Sequence, residues 1–359
     1  MSIGCICHLT NLCVKAGVTA LPFKVDDVLV DVFYFFHHSS KRIQDFKEFQ
    51  QFTEVEEQQI LKHCPTCWLS LEKVCNRLLS QLPALRSYFV GHKDVEKPGK
   101  VKSINDRLQE PLTELILLFL QYILPVLNQF NILFQGEDCM VVSLLPEMDR
   151  LLRKFAVKFL ELKHVKSCRN LREFDVGNQE LQQSDDKLAV GPAVRSRLVE
   201  LEEDLDAKTA QVVSSVRGFY EAAARKMMDK FPFDNDVLVN LAVLDPSKKD
   251  DLDYSSVVNL TSSFGFDLEQ LKDEWKDFQL MPDDVVPCRA NDGKKVPIAV
   301  YWGKVLDVKA ALGVARFPML KQLFTALLCL PQSDADSERA FSLVRKIHPE
   351  DRKNTAADT

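Results

Sequence analysis

Residues 198–223 read LVELEEDLDAKTAQVVSSVRGFYEAA, and their spacing decides the class of fold. Leu198, Leu201, Leu205, Val212, Val216, Phe219 and Ala223 recur at intervals close to three and four, with charges on the other faces. That period lines them up as one stripe of an amphipathic helix. Lys208 and Thr209 interrupt the stripe, which is also short for a sustained heptad seam. A helix packed inside its own domain is therefore a better reading than a coiled-coil partner helix.

The same period extends outward in both directions. Upstream, 104–134 reads as one long helix kinked at Pro125, because an internal proline removes a backbone donor, and 144–162 reads as another. Nearer the start, Leu9, Leu12, Cys13 and Ala16 share helical spacing, and so do Val28, Val32, Phe35 and Phe36. Ser39-Ser40 followed by Lys41-Arg42 closes the second of these. Residues 60–64 have the composition of a short strand ended by Pro65, with a helix from about 69 to 79 and another after Pro83. Downstream, 298–347 is again helical, with Pro318 and Pro331 as start or stop signals. Polar stretches at 91–103, 170–191 and 281–297 break the pattern, the first as an exposed linker. The expected fold class is mainly α.

Composition agrees. A chain of 359 residues exceeds the usual compact domain, so two units, or one carrying a large insertion, are expected. Only 12 glycines disfavour many short strands joined by tight turns. A net charge of −6 is no nucleic-acid footprint, so any DNA contact needs a local patch. The ten cysteines are scattered, several inside apolar runs, as at Cys13, Cys75, Cys139 and Cys329. With no secretory leader read at the start, they are expected to be reduced thiols of a cytosolic or nuclear protein, not a secreted one. The apolar stretch 112–134 carries Glu114, Gln121, Pro125, Asn128, Gln129 and Asn131, so it reads as a buried helix, with no membrane partner.

Few motifs carry chemistry. Cys5 and His8 share a helix face, and His63, Cys64 and Cys67 form a second candidate zinc half-site. The wide separation and the Pro65 and Trp68 neighbours favour ordinary packing over a metal. Paired acids at 26–27, 185–186, 250–251 and 283–284 sit next to breaks and face water on this reading. No glycine-rich phosphate loop, GxSxG elbow or HExxH is present. In the carboxy-terminal block, Ser333 with Asp336 makes a plausible N-cap, and Phe341, Val344 and Ile347 form the apolar side.

That block resembles the carboxy-terminal dimerisation region of hAT-family DNA transposases. The residues carrying the likeness are Phe317-Pro318, Pro331 and Ser337-Glu338-Arg339-Ala340-Phe341-Ser342, preceded by Trp302 and followed by Arg352-Lys353-Asn354. Cys5-Ile6-Cys7-His8-Leu9-Thr10-Asn11-Leu12 looks like the family's CxxHxxNL helix. Cys67-Trp68-Leu69-Ser70 is similar to its Thr-Arg-Trp-x-Ser motif, with cysteine in the arginine's place.

The resemblance implies a partial RNase H-like core with few strands left (1–90), an all-helical insertion domain (91–297) and a shortened dimerisation region (298–359). It implies Cys5, His8 and Trp68 as DNA-contact or structural residues. Phe317, Leu320, Phe324, Phe341 and Val344 become dimerisation residues. Glu338 matches the family's catalytic glutamate, but both aspartates lie before the CxxH helix in that family, and only four residues precede Cys5 here. Two-metal chemistry needs several converging anionic ligands. The expectation is a non-catalytic, transposase-derived protein without cofactor, a divalent metal entering only if that site were completed. Its partner would be a second copy or a related transposase-derived protein, its localisation nuclear or cytoplasmic. Two rivals are a fragment of an active transposase that needs the missing aspartates in trans or in a longer product, and a DNA-binding remnant using Lys93, Lys97, Lys100 and Lys102. Asp94 and Glu96 interleave with those lysines and weaken the second.

Overall fold

A computed structural model describes residues 4–64, 69–92, 98–136, 138–201, 205–261, 266–290 and 292–331. Among the described residues helix, 3-10 turns included, takes 70% and no β-strand occurs, so the class is mainly α. In chain order the helices are α1 (Ile6–Thr19), α2 (Val25–His37), α3 (Ser40–Phe52), α4 (Leu69–Ser80), α5 (Leu82–His92) and α6 (Pro98–Gln109). Then come α7 (Pro111–Phe134), α8 (Leu144–Ala156), α9 (Leu162–Ser167), α10 (Pro192–Glu200) and α11 (Leu205–Lys230). The last are α12 (Asp236–Asn240), α13 (Tyr254–Thr261), α14 (Leu268–Gln279), α15 (Ile298–Leu306) and α16 (Pro318–Leu328).

The chain forms two compact units: Met1–Leu9, Asn131–Arg150 and Phe231–Thr359 make the first, Thr10–Phe130 and Leu151–Lys230 the second. These are cut differently from the three segments 1–90, 91–297 and 298–359 read along the sequence.

The second unit is built around the stripe that opened the sequence reading. Val212, Val216, Phe219 and Ala223 of α11 have no exposed surface, so the stripe is core rather than a seam awaiting a partner helix. Phe119 of α7 and Phe155 of α8 meet Tyr220 edge-on at 5.5 and 5.1 Å, and Phe159 stacks on it at 5.4 Å. A Cβ on Gly17 of α1 would sit 2.8 Å from the Phe219 ring, so the small residue sets that close approach. A second cluster joins Phe35 and Phe36 of α2 to Tyr88 and Phe89 of α5.

Several boundaries differ from the sequence reading, each for a local reason. Ser39 does more than end α2: its hydroxyl accepts from the Arg42 N–H at 3.3 Å and opens α3. The expected linker 91–103 is helical from Pro98, because Val101, Ile104 and Leu108 share a buried face. The long 104–134 helix is two helices, with Pro111 first in the second, where its missing N–H costs nothing. Residues 60–64 form no regular element and no strand. The preceding carbonyls of Glu56, Gln58 and Gln59 accept instead from the side chains of Gln81 (3.1 Å), Gln50 (2.8 Å) and Arg77 (2.5 Å). The polar break 170–191 is a strap: Arg217 donates to Gln182 and Asp185, and the Tyr220 hydroxyl to the Ala189 carbonyl at 2.7 Å.

Among the described residues one helix, α7, is long and apolar enough to cross a membrane, with mean hydropathy 1.6 over its best window. Most of that window is buried inside the fold, and Asn128 donates to the Glu72 carboxylate.

Candidate association site at the carboxy-terminal helices

Helix α14 begins at Asp267, whose side chain accepts from the N–H groups of Glu269 and Gln270. Leu271, Trp275 and Phe278 then fall on its buried face, and Glu274 shares it, only 7% exposed. A carboxylate on an apolar stripe needs donors. Here they come from another helix: Glu274 Oε2 accepts from the backbone N–H groups of Met319 at 2.8 Å and Leu320 at 2.9 Å. These are first-turn groups of α16, which have no acceptor within their own helix. Three residues on, Asp277 takes both Nε (2.7 Å) and Nη2 (2.6 Å) of Arg316, a bidentate pair just before Pro318 starts α16.

Burial pushes the Glu274 carboxyl up, opposed by the two N–H groups and Gln270, with Asp277 adding to the rise. The Arg316 guanidinium holds Asp277 below its usual value. Because Glu274 binds its proton more tightly folded than unfolded, its contribution is present below the ordinary glutamate range and lost as pH rises through its folded value. Asp277 runs the other way, its contribution lost as pH falls. Glu274→Gln keeps an acceptor and removes the titration, so the urea midpoint of the transition that carries α14 and α16 is expected to rise, relative to the parent, as pH increases from about 4. Asp277, held below its usual range, is ionised in both proteins across that window. A difference that stays flat with pH refutes the assignment.

Behind this latch lies an aromatic cluster. The Trp302 ring of α15 meets Phe324 edge-on at 4.4 Å and Phe278 at 4.9 Å, and its Nε1 donates to the Leu244 carbonyl at 2.8 Å. Phe278 contacts Phe317, and Trp275 contacts Phe324. Phe317, Leu320 and Phe324, the described members of the expected dimerisation set, have no exposed surface. They are core of their own unit, so a partner must use other side chains. Phe341, Val344 and Glu338 lie outside the described residues, as do Cys67 and Trp68.

What is exposed is the turn between α15 and α16. Backbone bonds from Ala310 N–H to the Val314 carbonyl (2.8 Å) and from Arg316 N–H to the Val308 carbonyl (3.2 Å) make a hairpin. At its tip Leu312 is 101% exposed and Val314 62%. Leu312 also adopts φ 66°, in the left-handed region that costs a non-glycine residue about 1–2 kcal/mol. Nothing in the sequence pattern marked this leucine, because an apolar residue near a helix start reads as core.

The other expected site residues are dispersed. Cys5 is half-buried and His8 exposed, while between them Ile6 and Cys7 are buried, with the Cys7 thiol donating to the Asn131 carbonyl at 3.6 Å. His63 is buried 3.2 Å from Asp26. Among the described residues no three His, Cys, Asp or Glu side chains group to hold a metal. All nine described cysteines are thiols. Lys100 lies 3.7 Å from Asp31, Lys102 is exposed, and Lys93 and Lys97 lie outside the described residues. A groove of about 290 Å³ runs over Phe36, Ile43 and Phe46, with the exposed His37, Lys47 and Glu57 on its rim. No protein-family model, curated protein or solved structure matches this chain.

Proposed function

We propose that this chain is a transposase-derived protein that performs no DNA chemistry by itself and works by association, with a second copy as its partner. The motif likeness at its two ends supports the origin: 1–90 and 298–359 descend from an RNase H-like core and 91–297 from its helical insertion. In this reading Glu338 is a relic of a metal site, no cofactor is held, and the protein works in the nucleus or cytoplasm.

The observation that carries the association reading is the exposed hairpin tip. A leucine held at a strained φ with its whole side chain in water gains nothing for the isolated fold. It repays that strain only when Leu312 and Val314 are covered. The buried stripe of α16 then serves to hold the hairpin rigid, through Arg316–Asp277 and the Trp302 cluster.

Light scattering after size exclusion tests this. The parent chain is expected to run as a dimer, and Leu312→Asp as a monomer. Leu312→Gly is the sharper variant: glycine accepts a positive φ, so the fold keeps or gains stability while the dimer is lost. A monomeric parent at every soluble concentration refutes self-association. A dimer that survives both substitutions places the interface elsewhere. Metal-dependent DNA cutting by the isolated chain that Glu338→Gln abolishes would overturn the non-catalytic reading.

A further inference from the structure

Cys139 precedes the short 3-10 helix Val141–Ser143, and Cys329 is the C-cap of α16; both belong to one compact unit. The Cys139 thiol donates to the carbonyl oxygen of Leu328 at 3.5 Å, the peptide group bonded directly to Cys329. A carbonyl oxygen stands about 3 Å from the next Cα, so the Cys139 sulfur lies within about 6–7 Å of the Cys329 Cα. A disulfide places each sulfur about 4 Å from the far Cα, so closure asks for a shift of about 2–3 Å. That shift falls on the C-cap of α16, just past the helix, where fraying is cheapest.

Access orders the two thiols. Cys329 is exposed and Cys139 half-buried. Burial holds the Cys139 thiol above its usual range, countered by the Val141 N–H, and the neighbouring Cys329 adds to the rise. Cys139 is thus the poorer first nucleophile and the better placed second one. Of the other thiols, Cys13 and Cys75 are wholly buried, while Cys64 is exposed.

We propose that Cys139 and Cys329 form an oxidative modification site, in which a hydroperoxide oxidises Cys329 and Cys139 closes on it as a disulfide. The Cys329 thiolate attacks a peroxide oxygen, the O–O bond breaks, and a sulfenic acid forms with release of water or an alcohol. Cys139 then gives up its proton, its sulfur bonds to that of Cys329, and the S–O bond breaks with loss of water. Two thiols lose two electrons and two protons, and the hydroperoxide is reduced. The bond ties the end of α16 to the turn before Val141.

The test uses the full chain under native conditions with substoichiometric hydrogen peroxide, alkylation of remaining thiols and non-reducing peptide mapping. A peptide linking Cys139 to Cys329, lost on reduction, is expected as the dominant cross-link. In Cys139→Ser, Cys329 is expected as sulfenic or sulfinic acid. In Cys329→Ser, Cys139 is expected to stay alkylated, and Cys288→Ser should keep the link. Circular dichroism checks folding, and the parent map alone decides the pairing if a variant misfolds. Oxidised Cys329 beside alkylated Cys139 in the parent overturns the proposal. So does a link no more abundant than pairs involving Cys64 or Cys288.

Discussion

Replacing Trp302 with alanine is expected to cost about 3–5 kcal/mol, the range for deleting a large aromatic from a packed core. Trp302 has no exposed surface and fills the space between Phe278 and Phe324. Its Nε1 also satisfies the Leu244 carbonyl at 2.8 Å. Trp302→Phe keeps most of the packing and loses that bond, for about 1–3 kcal/mol, because the buried carbonyl is left without its donor. The difference between the two variants separates packing from hydrogen bonding. A chain this long need not unfold in one step. Hydrogen exchange read by mass spectrometry is therefore the measurement, with faster exchange expected in peptides from α14, α15 and α16. If exchange there is unchanged in Trp302→Ala, the cluster is not what holds the unit together.

Tyr220→Ala is expected to have a similar effect, about 3–5 kcal/mol, in the other unit. Its ring lies against Phe119, Phe155 and Phe159, so truncation removes contacts to three neighbours at once. Its hydroxyl ties the 170–191 strap to α11 through the Ala189 carbonyl. Tyr220→Phe should therefore cost only about 1 kcal/mol, the usual net worth of one hydrogen bond. Its mark should be local, with faster exchange in the strap and little change in α7 or α8. Equal effects of the two substitutions would mean that the hydroxyl, and not the ring, anchors the core.

Much of the helical architecture was legible in the residues themselves. The α11 stripe, the apolar face of α2 and the start of α16 at Pro318 follow from period and punctuation, which depend only on neighbours a turn away. The misses share a cause. Gly91 to Ser103 looked like a linker because its residues are polar, and the helix appears only when Val101 is counted with Ile104 and Leu108. Residues 60–64 had strand composition, but pairing needs a free neighbouring strand, and side chains of α3, α4 and the Gln81 junction bind the adjoining carbonyls instead.

The candidate site divides the same way. The grouping of Phe317, Leu320 and Phe324 was legible only as what the family resemblance implies. Whether it faces a partner or its own unit was not legible, since that depends on Trp302 and Phe278, brought together only by folding. Glu274 drew no sequence reading, because its donors lie 45 and 46 residues ahead. Leu312 carried no signal at all. The amino-acid order by itself thus determined helix class and helix faces, because these rest on short-range periodicity. Tertiary structure alone decided which apolar residues are core and which reach water, because burial is a property of surfaces brought together from distant parts of the chain.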